Sequence, residues 1–317
     1  YSLLSEAGIS YQSRFNYMHD FTIDAGVRYM LNRLAQDFGA SQNSATDEFK
    51  DLNSGKADEK KVGGFEEKWS WMNYYLSGNY ILKDRYLISA SLSLDASSKF
   101  GKEVQVGISM AGYPFAVLPT AGFTWRISSE SFMHNINFLD ELKLRASYGL
   151  TGSDDFINFY TRLYYSTIPY YSITGFYLNG LFNPGLKWEV VKQTNLGLDL
   201  ALFRERLILN ADWFKSVTEN MITYISLPAY YGYELYASNG GSCQNTGYEF
   251  NIYGKPVNRT FKWEANASFS KYDNKVVTLE NDEIITSFTG GEKITRAGDP
   301  MGLFYGYLAE GVFESQQ

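Results

Sequence analysis

The sequence predicts an all-β fold, and more specifically a transmembrane antiparallel β-barrel. Three observations lead to this prediction. Apolar and polar residues alternate in many separate segments, short turns alternate with long polar connections, and aromatic residues are abundant. Strands of about ten residues with one apolar and one watery face are typical of outer-membrane barrels, where lipid lies outside and water inside.

The alternation is clearest between Thr194 and Leu202. Leu196, Leu198 and Leu200 fall on one face of an extended strand, whereas Asn195 and Asp199 fall on the other. Successive side chains of a strand point to opposite faces, so this segment has one apolar and one polar side. The same pattern recurs in six other segments, 7–16, 21–31, 86–96, 142–150, 248–253 and 261–271. Seven matches to one template predict a sheet with two chemically different faces.

We expect about a dozen strands. They lie near 4–16, 20–31, 71–82, 85–96, 119–127, 141–151, 158–167, 190–202, 205–215, 221–227, 244–254 and 260–271. Lys83–Arg85 and Phe203–Arg206 are predicted to be tight turns. The long connections are predicted at 32–68, 221–242 and 273–296, and the segment 130–141 is a candidate short surface helix. Short turns on one rim and long loops on the other are typical of a barrel.

Composition narrows the class of protein. The 317 residues include 26 Tyr and 22 Phe, and aromatic side chains favour strands and membrane interfaces. No run approaches the roughly 18 apolar residues that a membrane-spanning helix needs, which excludes a helical membrane protein. The net charge of −7 argues against a nucleic-acid-binding protein, which normally carries a basic face.

Both ends suggest an internal segment of a longer polypeptide. Tyr1–Ser5 is neither an initiator methionine nor a signal peptide, and Glu314–Gln317 is not a closing strand. An open sheet edge in lipid leaves backbone groups unpaired at a cost of several kcal/mol each. We therefore expect residues 1–317 to be a barrel segment with long extracellular loops, and the remaining strands and any plug to lie outside it.

The sequence predicts no catalytic residue, cofactor or metal site. His19 and His134 have no carboxylate or cysteine at ligand spacing, and the lone Cys243 is read as an incidental thiol. Asp51–Gly55 lacks the ligands of a calcium loop. Asp154 and Asp155 would point to opposite faces of a strand and so cannot act as a glycosidase pair.

Two tyrosine-rich groups are the candidate ligand-binding residues. They consist of Tyr164, Tyr165, Tyr170 and Tyr171 in one region, and of Tyr230, Tyr231 and Tyr233 in another. These rings either pack within loops or a membrane girdle, or form a platform for sugars or peptides at the barrel mouth. The pattern leaves both interpretations open.

Several motifs resemble the barrel of the SusC/RagA-like family of TonB-dependent outer-membrane transporters. These motifs run from about position 85 to the end of the chain and are Leu94–Gly101, Leu142–Gly152, Asn183–Asp199, Asn239–Phe250 and Gly298–Phe313. Ala96 stands where the family usually has glycine. The first 80 residues resemble the family only in their strand pattern.

The resemblance implies a location in the outer membrane of a Gram-negative, Bacteroidetes-like bacterium and active import of an oligosaccharide or peptide. It further implies a barrel of about 22 strands around an N-terminal plug, a SusD-like surface lipoprotein as lid, and TonB acting through the plug. Five polar residues are expected to face the lumen and to hold the plug. They are Asp24, Arg28, Lys143, Arg145 and Asp199.

Two other functions remain open at this stage. A passive porin-like channel would need its own closure and no plug. A soluble β-rich carbohydrate-binding module, such as a lectin, would cover its leucine faces with a second sheet instead of lipid. An enzyme is not predicted.

Overall fold

The computed structural model describes most of the chain. The residues that it does not describe are 102, 105–106, 157, 159, 172, 179, 234, 259, 309–310 and 312–317. Sixteen strands are present among the described residues. In chain order they are β1 Ser2–Phe15, β2 His19–Ala40, β3 Lys61–Leu82, β4 Tyr86–Ser97, β5 Ile108–Met110, β6 Tyr113–Arg126, β7 Leu139–Ser153, β8 Tyr165–Tyr170, β9 Ile173–Leu178, β10 Glu189–Leu202, β11 Leu207–Ser226, β12 Leu235–Asn258, β13 Lys262–Leu279, β14 Glu283–Phe288, β15 Gly291–Arg296 and β16 Leu303–Tyr305.

Ten of these strands form one antiparallel wall in the order β1-β2-β3-β4-β6-β7-β10-β11-β12-β13. The short strand β5 pairs only with β6, β8 pairs with β9, and β14 to β16 form a separate small sheet. Neighbouring strands of the wall are also consecutive along the chain, apart from these excursions. The wall is therefore an up-and-down meander with β1 and β13 at its edges, which confirms the predicted all-β antiparallel class.

Connections at one end of the wall have three or four residues, apart from the twelve-residue link 127–138, whereas those at the other end have eight or more. At one end, which we call the short-turn end, the links are 16–18, 83–85, 127–138, 203–206 and 259–261. At the other, the long-loop end, they are 41–60, 98–112, 154–188 and 227–234. In a barrel of this kind the short turns face the periplasm and the long loops face outward.

The two predicted tight turns are confirmed, and their backbone is left-handed. Lys83 and Asp84 both have φ of 53°, and Phe203, Arg204 and Glu205 have φ of 60°, 60° and 58°. Positive φ values at the tip match the right-handed twist of the two flanking strands.

The register of the wall places the apolar residues in continuous rows. One row runs from Phe123 through Ala146, Leu196 and Trp213 to Tyr248. Leu196 is 50% exposed and Tyr248 48% exposed, so this face lies open rather than beneath a second sheet. An unpartnered apolar face is the surface that a lipid bilayer covers.

The buried core lies at the long-loop end instead of in the middle of the wall. A cluster there includes Phe100, Leu118, Phe156, Leu186 and Trp188, which are all at most 6% exposed. It joins the connection 98–112 to the connection 154–188.

Several predicted elements need correction. The strands are longer than their alternation indicates, so β2 continues to Ala40 and β3 begins at Lys61 in what was predicted to be a loop over 32–68. The predicted strands 205–215 and 221–227 are one strand, β11, and β12 and β13 extend into the predicted loops 221–242 and 273–296. These extensions carry polar residues on both faces, so the alternation from which a strand is predicted is absent there.

Two further predictions are wrong. The strand predicted at 158–167 begins only at Tyr165. The segment 130–141 contains one 3₁₀ turn, Ser131–Met133, and then enters β7, rather than forming a surface helix. Among the described residues, no helix is long and apolar enough to cross a membrane.

Candidate functional site

The five polar residues singled out from the sequence all lie on the face of the wall opposite the apolar rows. We call this face the polar wall and define it by Asp24, Arg28, Lys143, Arg145 and Asp199. Lys143 pairs in register with Asp199, whereas Asp24 and Arg28 lie several strands away. The structure therefore gathers these residues on one surface but into two separate groups.

Arg145 is the centre of the first group. Its Nε and Nη2 donate to the two carboxylate oxygens of Asp199, each at 2.9 Å, and Nη2 also donates to Asp212 Oδ1 at 2.9 Å. Asn210 Nδ2 donates to Asp199 Oδ1 at 2.9 Å. Paired guanidinium and carboxylate groups of this kind form strong, directional hydrogen bonds. The arrangement links β7, β10 and β11.

Gly197 makes room for this cluster. A Cβ atom at position 197 would lie 2.6 Å from Arg145 Cζ and 2.5 Å from Asp212 Oδ1. Gly197 is the direct cross-strand partner of both Arg145 and Asp212. A side chain there would displace the guanidinium group, so a glycine in the Leu196–Leu198 motif is needed for the ion pairs to form.

Arg28 is the centre of the second group. Its Nε donates to Glu6 Oε1 at 2.9 Å, and its guanidinium carbon lies 4.5 Å from the centre of the Tyr75 ring. Tyr75 Oη donates to the same Glu6 oxygen at 3.1 Å. Asp24 is different, because its one hydrogen bond among the described residues comes from Ser77 Oγ at 3.5 Å.

Lys143 completes the polar wall near the short-turn end. Its Nζ lies 2.8 Å from Glu141 Oε1 and 4.0 Å from Asp199 Oδ2. The polar wall is therefore a mostly self-paired polar surface.

A scaffold of loops stands above the wall at the long-loop end. Asn183 Oδ1 accepts from the Gly185 backbone N–H at 3.0 Å, and Asn183 Nδ2 donates to the Ala237 carbonyl at 3.0 Å. The Asn239 side chain bonds the Lys187 N–H and carbonyl, both at 2.9 Å. Two asparagines thus fasten the connection 154–188 onto β12.

Aromatic and small residues complete this scaffold. The Phe100 and Trp188 rings are 4.5 Å apart, and Leu186 is fully buried. A Cβ on Gly101 would lie 2.9 Å from the Pro184 carbonyl oxygen, so the two connections touch through backbone. The motifs Leu94–Gly101 and Asn183–Asp199 therefore contact each other, and their role here is structural.

Lys99 holds the same two connections together from inside. The residue is only 8% exposed, and its Nζ donates to the carbonyls of Asp154 and Phe156 at 3.0 and 3.2 Å. The ammonium group also lies 4.8 Å from the centre of the Trp69 ring. Backbone carbonyls and an aromatic face together stabilise a buried cation that has no carboxylate partner among the described residues.

Both tyrosine-rich groups lie at the long-loop end. Tyr165 and Tyr170 belong to the β8–β9 hairpin, and Tyr171 lies at its turn, 94% exposed. Tyr230 and Tyr231 form a 3₁₀ turn between β11 and β12, with their rings 4.5 Å apart. The outermost rings are thus exposed, as a contact surface requires.

Tyr164 of the first tyrosine group and the nearby Tyr160 are less exposed than Tyr171. Burial raises the pKa of both Tyr160 and Tyr164 above the usual tyrosine value. The Tyr160 ring lies 5.5 Å from that of Tyr224. Tyr164 therefore belongs to the base of the loop scaffold, whereas Tyr171 and Tyr230 belong to its surface. Tyr233 is half-buried beside the second group.

Sequence reasoning missed several partners that the register brings together. Glu6, Tyr75 and Asp212 complete the ion pairs of the polar wall, and Lys99 holds the loop scaffold. Asn239 opens the motif Asn239–Phe250, but the motif does not indicate its hydrogen bonds to Lys187. Asp212 and Tyr75 lie on the polar side of their strands by parity, so the alternation could have found them. No local signal marks Lys99. In the part of the chain that the structure describes, no group of His, Cys, Asp and Glu side chains is placed to hold a metal.

Comparison with known proteins gives the same picture. Residues 4–310 match the sequence profile of the family described as TonB dependent receptor-like, beta-barrel. A TonB-dependent receptor of Formosa agariphila is 34% identical over 242 residues, which are 76% of this chain and 22% of that protein. The TonB-dependent receptor SusC of Bacteroides thetaiotaomicron is 29% identical over 264 residues, or 78% of this chain and 25% of that protein. The chain thus spans about a quarter of the length of these two curated relatives.

Two solved structures share the fold. A structure of the RagAB peptide transporter superimposes with a TM-score of 0.80 at 23% identity, covering 95% of this chain and 33% of that one. The siderophore receptor PiuA from Acinetobacter baumannii superimposes with a TM-score of 0.56 at 13% identity, covering 95% and 41%. At these identities the likeness concerns the fold alone.

Proposed function

The chain belongs to the TonB-dependent receptor-like β-barrel family, and on that premise we propose that the protein of which it is part imports a peptide or an oligosaccharide. The family lies in the outer membrane of Gram-negative bacteria, which gives this chain its location. In this proposal the ten-stranded wall is one section of a closed barrel. Its apolar rows contact lipid and its polar wall contacts water.

The observation that carries the proposal is the division of one sheet into two chemically opposite faces. Cross-strand rows such as Phe123–Ala146–Leu196 are apolar, while the adjacent row Thr124–Arg145–Gly197 is polar and charged. A soluble sandwich would bury the first kind of row, whereas here its large side chains are exposed. Only a wall between lipid and water uses both faces as they stand.

The polar wall supports a role in holding a plug domain, but its residues differ in how they would do so. Arg145, Asp199 and Lys143 already pair within the wall and so stiffen it. Asp24, with one long hydrogen bond from Ser77, retains acceptor capacity for a donor from a plug. Asp24 is therefore the member of the wall that we assign to plug contact.

The loop end supports a role in substrate contact. Tyr171 and Tyr230 are 94% and 80% exposed at the long-loop end. Aromatic rings bind both sugar faces and peptide side chains, and tyrosine hydroxyl groups can add hydrogen bonds. A SusD-like lipoprotein would cover this end, and TonB would act through the plug. The two-component name of the similar RagAB peptide transporter supports such a partner.

The proposal is tested by uptake in a deletion strain that carries the full-length gene. We expect growth on, or uptake of, labelled peptides or oligosaccharides to require both this protein and TonB. The double variant Y171A/Y230A should lower uptake by about fivefold or more, since each of the two aromatic contacts contributes about 0.5–1.5 kcal/mol. Tyr17 is 89% exposed but lies at the short-turn end, so Y17A is the matched control and should leave uptake unchanged.

Two outcomes test TonB-dependent import and substrate contact by the tyrosines separately. Uptake that persists without TonB contradicts active import and favours a passive channel. Equal uptake by Y171A/Y230A and Y17A contradicts the assignment of the aromatic rings, while leaving import itself intact.

A further inference from the structure

A cavity of about 780 Å³ lies at the long-loop end, where β3, β4 and β6 meet the connections 98–112 and 154–188. Its volume is within the roughly 300–1,000 Å³ typical of ligand sites. Its lining combines side chains of the wall, such as Met72 and Ala96, with residues of the two loops, such as Arg162. Neither the polar wall nor the two tyrosine groups of the proposed function contribute their defining residues to it.

The floor of the cavity continues the lipid-facing side of the wall. Tyr29 pairs with Met72, and Met72 pairs with Ala96, so these three side chains form one cross-strand row. The row has the same parity as Leu76 and Leu92, which are 51% and 38% exposed on the apolar face. The cavity is thus a recess at the outer edge of the membrane-contacting surface.

The height of the cavity can be estimated from strand geometry. Tyr29 lies ten residues beyond His19, the first residue of β2. At about 3.3 Å per residue this is about 33 Å along the strand, or about 25 Å above the short-turn end for a strand tilted by roughly 40°. The apolar band of such barrels is about 25 Å tall, so the cavity lies where acyl chains meet headgroups of the outer leaflet.

The loop side of the cavity supplies a cation at this height. Arg162 is exposed, and its Nη2 donates to the Ser98 carbonyl. No ion pair found in the described part of the chain involves Arg162, so its remaining N–H groups point to no carboxylate. Glu103 also lines the cavity and would weaken the attraction for an anion. The site therefore combines an apolar floor with a guanidinium group at its rim.

We propose that this cavity binds a lipid of the outer leaflet, with an acyl chain against Tyr29, Met72 and Ala96 and a phosphate at Arg162. Continuity of the floor with the apolar face selects a membrane lipid as the occupant. The guanidinium group selects a phosphate-bearing headgroup, because its planar N–H groups match phosphate oxygens.

The test uses the full-length protein reconstituted in phosphatidylethanolamine vesicles that contain lipid A, a diphosphorylated and acylated disaccharide. Lipid A that stays bound after extraction into detergent is counted by native mass spectrometry. We expect the wild type to retain lipid A in preference to phosphatidylethanolamine, because the single phosphate of phosphatidylethanolamine is neutralised by its own ammonium group, whereas the two phosphates of lipid A are not. R162Q should reduce retention on the order of tenfold, as for loss of a charge-assisted hydrogen bond. E103Q should increase retention, because it removes a repelling charge.

Matched variants test the two halves of the site. R206Q alters an exposed arginine at the short-turn end and should retain lipid A like the wild type. A96F fills the floor and should block retention, whereas A90F, on the same face of β4 but outside the cavity, should not. Heat-dependent migration of each variant in gel electrophoresis verifies that the barrel has folded.

Several results would overturn the proposal. They are no preference for lipid A in the wild type, equal retention by R162Q and R206Q, and equal retention by A96F and A90F. Displacement of lipid A by millimolar inorganic phosphate would also contradict it, because the acyl chain would then contribute nothing. None of these readouts depends on substrate uptake.

Discussion

At the scale of single residues, two sequence motifs supply the residues of one ion-pair cluster. Arg145 comes from Leu142–Gly152, and Gly197 and Asp199 come from Asn183–Asp199. The glycine leaves the space that the guanidinium group occupies, and the aspartate accepts its two parallel hydrogen bonds. An arginine, a glycine and an acid on adjacent strands are thus required together.

Loss of the Arg145 cluster should weaken the wall. In R145Q, Asp199 and Asp212 lose their shared cation and repel each other, so we expect the full-length protein to lose about 1–2 kcal/mol of unfolding free energy. The midpoint of urea unfolding in detergent measures this. R14Q is the matched control. It breaks the ion pair with Asp20, but the Arg14 side chain is 53% exposed, so the change in unfolding free energy should be less than about 0.5 kcal/mol. Equal midpoints for the two variants would contradict the role of the cluster.

Glu130 should make stability depend on acid. The carboxylate accepts from Tyr86 Oη at 2.6 Å and Trp125 Nε1 at 3.2 Å and pairs with Arg85 at 3.0 Å, and these contacts lower its pKa below the ordinary glutamate value of 4.5. Because the pKa of Glu130 is lower in the folded state than in the unfolded state, ionised Glu130 stabilises the fold at any pH above the unfolded-state pKa. This stabilisation is lost as the pH falls through the folded-state pKa.

The measurement compares unfolding midpoints of wild type and E130Q at neutral pH and at several values below pH 4.5. The wild type should lose more stability on acidification than E130Q, which has no proton to take up at this position. Parallel pH profiles would show that Glu130 makes no contribution.

At the scale of elements, the connections of the long-loop end are built structures. Lys99, Thr161 and Asn183 each bond to a backbone carbonyl of another segment, and Leu186 and Trp188 are buried beneath them. Such packing fixes the base of the connection 154–188, which reduces the ordering entropy that a ligand bound there would have to overcome.

K99M tests this scaffold. Methionine keeps the length of the side chain but leaves the Asp154 and Phe156 carbonyls without their donor, at a cost of about 1–3 kcal/mol. We expect faster protease cleavage within 154–188 in the full-length protein, detected by mass spectrometry of the fragments. Lys83 is exposed in a short turn, so K83M should be cleaved like the wild type. If K99M is cleaved like the wild type, Lys99 does not hold the connections 98–112 and 154–188 together.

The sequence predicted the strands that have one apolar and one polar face. It missed the strands and strand ends that lack this alternation. Alternation located seven of the ten strands of the wall, because each membrane strand has one face in lipid. The predicted strands also include β3, β6 and β11, and both tight turns are confirmed. The predicted strand ended too early in β2 and began too late in β12, since the outer ends of both strands carry polar residues on both faces. The small strands β14 to β16 carry no alternation that distinguishes them from loops. Parity placed Arg145 and Asp199 on the polar face, but the register that joins them to Asp212 depends on the assembled sheet.

At the scale of the whole molecule, the family assignment and the physical pattern support each other. The resemblance to SusC/RagA-like transporters is confirmed by the family match and the similarity to SusC. The interpretation of the pattern does not depend on that resemblance, because an exposed apolar face opposite an ion-paired face is a property of the sheet itself. One strand therefore offers a direct comparison of the two faces.

Leu196 and Asn195 are neighbours on β10 that point to opposite faces. Leu196 lies six residues from the end of β10 at Leu202, about 15 Å above the short-turn end and so near the middle of the apolar band. We expect L196K to cost about 2–4 kcal/mol, because a lysine at the bilayer midplane loses its water. Asn195 lies on the opposite, polar face, so N195K should cost less than about 1 kcal/mol. The folded, heat-modifiable fraction of full-length protein in outer-membrane preparations measures the difference. If L196K assembles as well as N195K, the apolar rows do not contact lipid.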